Sequence, residues 1–220
     1  MPFGFKAPSS KRRKNRGEEI DEMMDYLKGG GSLAIGIQKR FELLPEKYSV
    51  LLLASQDKYD LLLMNLVKHF CKKNMGGIIV TLNKPGEDLI ALLKEHKVPC
   101  TGLFIVDGIS KKRDHELVQD SRIAYIETPQ DLTDMEANVI DFVQKLPPGK
   151  KFFILDSLST LMIYNSEKVV ERFVHRIGER LRSSSFQSVF MIMEGTRPEI
   201  MNVLSQFSDA VVAIGPEISP

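Results

Sequence analysis

"KKFFILDSLSTLMIY", residues Lys150–Tyr164, is the stretch on which the fold turns. Phe152–Leu155 are consecutive apolar residues, closed by Asp156 and followed by hydroxyl side chains. A short apolar run without alternation predicts a strand buried on both faces, here Lys151–Asp156. In an open parallel sheet, ligands gather where strands end at their carboxyl side. Asp156 and the adjacent Ser157 are therefore the first candidate site residues. The bland alternative is that the Asp156 carboxylate caps its own turn, as aspartate often does.

The same pattern repeats to either side. Apolar runs predict strands at Val50–Ala54, Gly77–Leu82, Gly102–Val106, Arg122–Glu127, Ser188–Glu194 and Ala210–Ile214. Amphipathic stretches between them predict helices at Tyr59–Asn74, Glu87–His96, Thr133–Leu146, Glu167–Ser183 and Pro198–Phe207. In the Glu167–Ser183 stretch, Val169, Val170, Phe173, Val174, Ile177 and Leu181 form one stripe, and its basic residues read as a solvated face. Strands alternating with helices predict an α/β fold of three layers. Its central sheet is mostly parallel, of about seven strands, with helices on both faces.

The ends read differently. Residues 1–17 hold Lys6, Lys11, Arg12, Arg13, Lys14 and Arg16 without an acid, and predict a disordered basic arm. Setting those six bases apart leaves 24 basic against 29 acidic residues, a mildly acidic body that argues against a broad nucleic-acid surface. Residues 18–47 form a lead-in. Ile20, Met23, Met24 and Leu27 share a helical face that Gly29–Gly31 ends, and 32–44 is ambiguous between helix and strand before Pro45. The main domain is expected over 48–215, with a short tail at 216–220.

Composition excludes several classes. No apolar run is long enough to span a membrane, and the basic N-terminus lacks the apolar core of a secretory signal, so a cytoplasmic location is expected. Cys71 and Cys100 match no metal spacing and read as structural thiols. His69, His96, His115 and His175 are scattered, and no metal is expected. Ser157 and Ser159 lack a recognisable His partner and read as helix-start residues.

"KKFFILDSLSTLMIY", the strand "SVFMIMEG" and the closing "FSDAVVAIG" together resemble the second half of a RecA-like P-loop ATPase domain. More narrowly, they resemble its archaeal KaiC-like branch, as does "GGIIVTLNKPGEDLIALLKEHKV". The resemblance spans about Ser49 to Gly215. It implies an ATP–Mg²⁺ site with Asp156 in the role of the magnesium-holding acid, and Arg197 as a possible polar sensor.

The phosphate loop departs from that family. A P-loop needs Gly-x-x-x-x-Gly-Lys-Ser/Thr: glycines let backbone N–H groups curl round phosphate, lysine neutralises it, and the hydroxyl ligates Mg²⁺. Here the frame holds Ala54, Ser55, Gln56, Asp57, Lys58, Tyr59, Asp60 and Leu61. Both glycines, the lysine and the hydroxyl are replaced. At an effective dielectric of about 20, one charge pair near 4 Å is worth roughly 4 kcal/mol, so Asp60 in the lysine's place could cost about twice that. Lys58 is the one nearby cation and stands two residues early. Asn83 and Lys84 stand where the resemblance implies a water-activating acidic pair, while Glu87 and Asp88 read as first-turn helix acids. If the helix begins early, Tyr59 and its neighbours fill the phosphate pocket.

The expected function is therefore a non-catalytic, RecA-like scaffold for protein interaction or regulation, without a nucleotide cofactor. Its partner would be a protein, an active relative or a second copy. One alternative is a rebuilt ATP site using Asp156, Lys58 and Arg197. Another is nucleic-acid or anionic-surface binding by Lys11, Arg12, Arg13, Lys14 and Arg16.

Overall fold

The computed structural model of the chain describes residues 33–99, 102–111 and 117–214. The basic arm, the helix expected at Ile20–Leu27 with Gly29–Gly31, Cys100, His115 and the tail lie outside the described residues.

Residues 33–41 form helix α1, which resolves the ambiguous stretch. Leu33, Ile37 and Phe41 recur at a spacing of four and are buried, so a helical stripe won over an alternating one. Then follow β1 (Tyr48–Ala54), a 3-10 turn at Gln56–Lys58, α2 (Tyr59–Lys72), β2 (Gly76–Thr81), α3 (Gly86–Glu95) and β3 (Leu103–Asp107). The second half contains β4 (Ile123–Tyr125), α4 (Leu132–Lys145), β5 (Lys151–Asp156), α5 (Leu158–Tyr164), α6 (Glu167–Ser183), β6 (Phe186–Met193), α7 (Pro198–Ser205) and β7 (Ala210–Ala213).

The strands form one sheet in the order β4-β3-β2-β5-β6-β1-β7, and every pair is parallel. Alternate residues serve opposite faces, as the pleat requires. Val50, Leu52, Ile79, Ile105, Ile154 and Met191 pack beneath α1, α2 and α3. Leu51, Ile78, Val80, Val106, Leu155 and Phe190 pack against α4, α5, α6 and α7. The layered α/β architecture is thus as the pattern predicts, with the sheet wholly rather than mostly parallel.

Three expectations shift. β1 begins at Tyr48, because Tyr48 and Ser49 still pair in register with Gln187 and Ser188. β4 is three residues rather than six: the Asp120 carboxylate accepts from the Arg122 backbone N–H at 2.9 Å and turns the chain just before the strand. Helix α5 is absent from the expected helices, although Ser157 and Ser159 read as helix-start residues. It is a seven-residue piece, Leu158–Tyr164, too short to establish a helical period of its own.

One glycine is sterically fixed. A Cβ on Gly77 would lie 2.1 Å from Phe152 Cζ. That ring stacks on Phe70 with centroids 4.7 Å apart, which locks α2 onto the sheet.

Candidate functional site at the strand ends

The carboxyl ends of β1, β2 and β5 meet over Asp156. β1 ends at Ala54, and the 3-10 turn at Gln56–Lys58 passes directly into α2. No open loop separates strand from helix, so the helix does begin early. Tyr59 is its first residue, and its hydroxyl donates to Asp156 Oδ1 at 2.5 Å. From the end of β2, Asn83 Nδ2 donates to the same oxygen at 2.8 Å.

The network continues into α5. Thr160 Oγ1 donates to Asn83 Oδ1 at 2.6 Å, and Ser157 Oγ lies 3.1 Å from Thr160 Oγ1. Ser157 caps α5 by accepting from the Thr160 backbone N–H at 3.2 Å. Ser159 accepts from the Met193 backbone N–H at 2.9 Å and ties α5 to the end of β6. The helix-start role expected of Ser157 is present, and Ser159 acts as a cross-link. The capping role read for the Asp156 carboxylate is not: the turn is capped by Ser157, and the carboxylate accepts from Tyr59 and Asn83 instead. The Asp156–Ser157 peptide is cis.

Asp156 is 1% exposed. Burial raises its carboxyl above the ordinary carboxylate value, and the bonds from Tyr59 and Asn83 offset that only in part. Burial, and then the neighbouring Asp156 charge, push the Tyr59 phenol far above the ordinary tyrosine value, so it stays a donor at any physiological pH.

Around this network the other candidates divide. Asp60, at the lysine position of the P-loop frame, faces solvent and pairs with Lys84 Nζ at 2.9 Å. Lys84 is held in turn at its backbone: its carbonyl accepts from Thr81 Oγ1 at 2.7 Å. Lys58 is the residue just before α2. Leu61 packs against the core beneath the sheet. Ser55 precedes the turn that Gln56, Asp57 and Lys58 form, and Asp57 is held below the ordinary carboxylate value chiefly by the Ser55 hydroxyl. Arg197 is the residue just before α7 and its guanidinium pairs with Glu167 at the start of α6, so the structure does not bring it to Asp156. Glu87 and Asp88 lie in the first turn of α3, where their charge suits the helix dipole.

Two residues carry more of the site than their sequence context suggested. Thr160 links Asn83 to Ser157, and its only sequence signal is its place three residues after a capping serine. Asp107 ends β3 fully buried. Its carboxylate accepts from the backbone N–H groups of Gly86, Ile109 and Ser110 and from Ser110 Oγ at 2.6–2.9 Å. "GLFIVDG" has the same apolar-run-to-aspartate pattern as "KFFILD", yet one carboxylate accepts mainly from backbone N–H groups and the other from side chains.

The all-parallel sheet, the helices on both faces and the acid at the end of a central strand define a RecA/KaiC-like α/β fold. Solved structures agree. The chain is similar to KaiC-like protein PH0186 from the hyperthermophilic archaeon Pyrococcus horikoshii OT3, at TM-score 0.55 and 13% identity over 80% of this chain and 77% of that one. It is also similar to the uncharacterized protein PH0321 from Pyrococcus horikoshii, solved in complex with an unknown peptide, at TM-score 0.62 and 11% identity over 80% and 81%. No curated protein matches the chain. Residues 67–214 match the model of a family of unknown function, DUF7504, and the chain belongs to that family.

No described helix is long and apolar enough to cross a membrane.

Proposed function

We propose that the chain is a non-catalytic relative of the RecA/KaiC-like ATPases, with a degenerate phosphate loop, and that it serves as a protein-interaction or regulatory scaffold. One observation carries this reading: Asp156 is occupied from within. The acid that would hold Mg²⁺ accepts from Tyr59 and Asn83 (2.5 and 2.8 Å), and Tyr59 stands at a glycine position of the P-loop frame. A nucleotide would have to displace the phenol, bury a triphosphate beside Asp60 and separate Asp60 from Lys84. Each step opposes binding, and no glycine-lined backbone is there to offset it.

Against the alternative of a rebuilt ATP site stands the pairing of Arg197 with Glu167 rather than with Asp156. The peptide in the PH0321 structure supports protein recognition by this type of fold. A second copy or an active relative is the expected class of partner.

The test is thermal unfolding of the whole chain with and without millimolar ATP and Mg²⁺, repeated on Asp156→Ala. The scaffold reading expects no shift in either protein. A rise of several degrees in the wild type that disappears in the variant would overturn it, because a ligand stabilises the state it binds.

A further inference from the structure

Helices α4 and α6 lie side by side on one face of the sheet. α4 packs on β2 and β3, and α6 on β6 and β1, so the gap between them runs over β5. Toward their carboxyl ends that gap holds a groove of about 200 Å³, with an apolar floor of Val139, Ile140, Val143, Ile177 and Leu181. The volume is small for a drug-sized ligand, whose sites run to about 300–1,000 Å³. It suits the side chains of an amphipathic helix laid along it.

One rim of the groove is basic. Lys168, Arg172, Arg176 and Arg180 recur every fourth residue along α6, and all four are exposed. The facing side of α4 offers one acid, Glu136, which takes Arg176 at 2.5 Å and Arg180 at 3.8 Å. Arg172 Nε donates to the Lys168 backbone carbonyl at 3.2 Å, and neither of those two cations meets a carboxylate among the described residues. Glu179 turns to His175 instead. Four cations thus share one anion beside an apolar floor, and the complementary occupant carries acids along an apolar stripe.

The chain has such a segment in its own residues 18–27, outside the described residues. Ile20, Met23, Met24 and Leu27 recur at i, i+3, i+4 and i+7, among Glu18, Glu19, Asp21, Glu22 and Asp25 and without a base. We propose that residues 18–27 of a second copy of this chain dock in the α4/α6 groove, with the apolar stripe on its floor and the acids against the α6 rim. Reach decides for a second copy. Leu27 is six residues from Leu33, where α1 begins, and six residues extend at most about 22 Å. α1 lies on the other face of the sheet, at its β7 edge: a Cβ on Gly36 would stand 3.6 Å from Ile214. The way round to the groove passes β7, β1 and β6, strands about 4.8 Å apart, and crosses helix layers roughly 10 Å thick on both faces. That route is longer than the link. A second copy meets no such limit, and reciprocal exchange of the segments closes a twofold dimer. The dimer rests on the scaffold reading only for the expectation of a protein partner, since the groove shares no residue with the Tyr59–Asp156 network.

The test is sedimentation equilibrium of the whole chain at about 50 μM, where a dimer of micromolar Kd is mostly formed. The wild type should be dimeric. Met23→Ser with Met24→Ser breaks the stripe without touching the groove, and should raise the dimer Kd at least tenfold. Glu22→Arg with Asp25→Arg should do the same, as should Arg172→Glu with Arg180→Glu on the rim. Mixed one to one, the two charge-reversed proteins should reassociate, because each segment then meets a rim of opposite sign. Thermal unfolding of each variant reports that its domain is folded, and the segment variants decide the matter if the rim variant is not. The proposal falls if the wild type is monomeric at this concentration, or if the segment variants leave the dimer intact. It also falls if the mixture of two folded, charge-reversed proteins stays monomeric. Stabilisation by ATP and Mg²⁺ would overturn the scaffold reading and leave this dimer standing, and a monomeric wild type would do the reverse.

Discussion

Tyr59 and Asp156 are 97 residues apart in the chain, and the phenol of one donates to the carboxylate of the other at 2.5 Å. The contact joins the first residue of α2 to the last residue of β5 across the carboxyl edge of the sheet. It makes the early start of α2 part of the site, since a looser loop would carry the ring elsewhere.

Tyr59→Phe keeps the ring and removes one of the two donors to Asp156. A hydrogen bond to a buried charged group is worth about 1.5–3 kcal/mol, so urea unfolding should show a loss of that order. Asn83→Ala removes the other donor and also the acceptor of Thr160 Oγ1, which is left with Ser157 Oγ. The double variant should deviate from additivity, because both donors share one oxygen.

Stability should also depend on pH through Asp156. Its folded-state carboxyl is raised above the ordinary 3.8 by burial, so between those two values the folded chain binds more protons than the unfolded chain. Stability therefore falls as pH rises through that window and levels off above it. Asp156→Asn keeps an acceptor oxygen for both donors and carries no charge. It should be more stable than the wild type at neutral pH, with the gap closing below about pH 4. Unfolding midpoints of the two proteins from pH 3 to 8 would check this.

His69 acts with the opposite slope. Its ring packs edge-on against Phe41 and Phe70, with Nε2 buried and unbonded. Burial lowers its pKa from 6.5 to about 4, with Lys73 adding to the shift and Glu42 opposing it. Its contribution is complete above the unfolded value and is lost as pH falls toward the folded one. Discounted for the partial exposure of the ring, the loss is about 1–2 kcal/mol. His69→Phe should flatten the stability profile between pH 6.5 and 4 without lowering neutral-pH stability.

Gly77→Ala drives a methyl into the Phe152 ring and unsettles its stacking on Phe70. Overpacking of this kind costs about 1–3 kcal/mol or more, which for a chain of this size lowers the unfolding midpoint by roughly 2–10 °C. Adding Phe152→Leu should recover part of the loss, a rescue visible by calorimetry.

Most of the architecture was legible in the residues because parallel strands buried on both faces leave an unmistakable apolar signature. Phe152–Leu155 and Val189–Ile192 have no other reading of comparable length. α5 was harder to read: after the polar break at Asp156 and Ser157 it is only seven residues long, too short for its apolar residues to establish a helical period. At the site, the expectation that an early helix start would bring Tyr59 to the strand ends came from the residues Ala54 to Leu61, and Tyr59 is the first residue of α2. What they did not mark was the Asn83–Thr160 contact, 77 residues apart, because two small polar side chains in separate turns carry no periodicity. Asp107 and Asp156 make the same point. Their local sequences are alike, and only the arrangement of donors in space gives one a backbone cradle and the other a tyrosine.

The strand order has a consequence for biosynthesis. Among the described strands β1 is the first to leave the ribosome, yet its two neighbours in the sheet are β6 and β7, the last of them to be made. Until then Val50–Leu53 is an apolar segment without a lateral partner, while β2, β3, β4 and β5 can already assemble side by side. The nascent chain therefore carries an unpaired hydrophobic strand through most of its synthesis. Closure of the sheet around β1 is a late event of high contact order, the kind of step at which chaperones act.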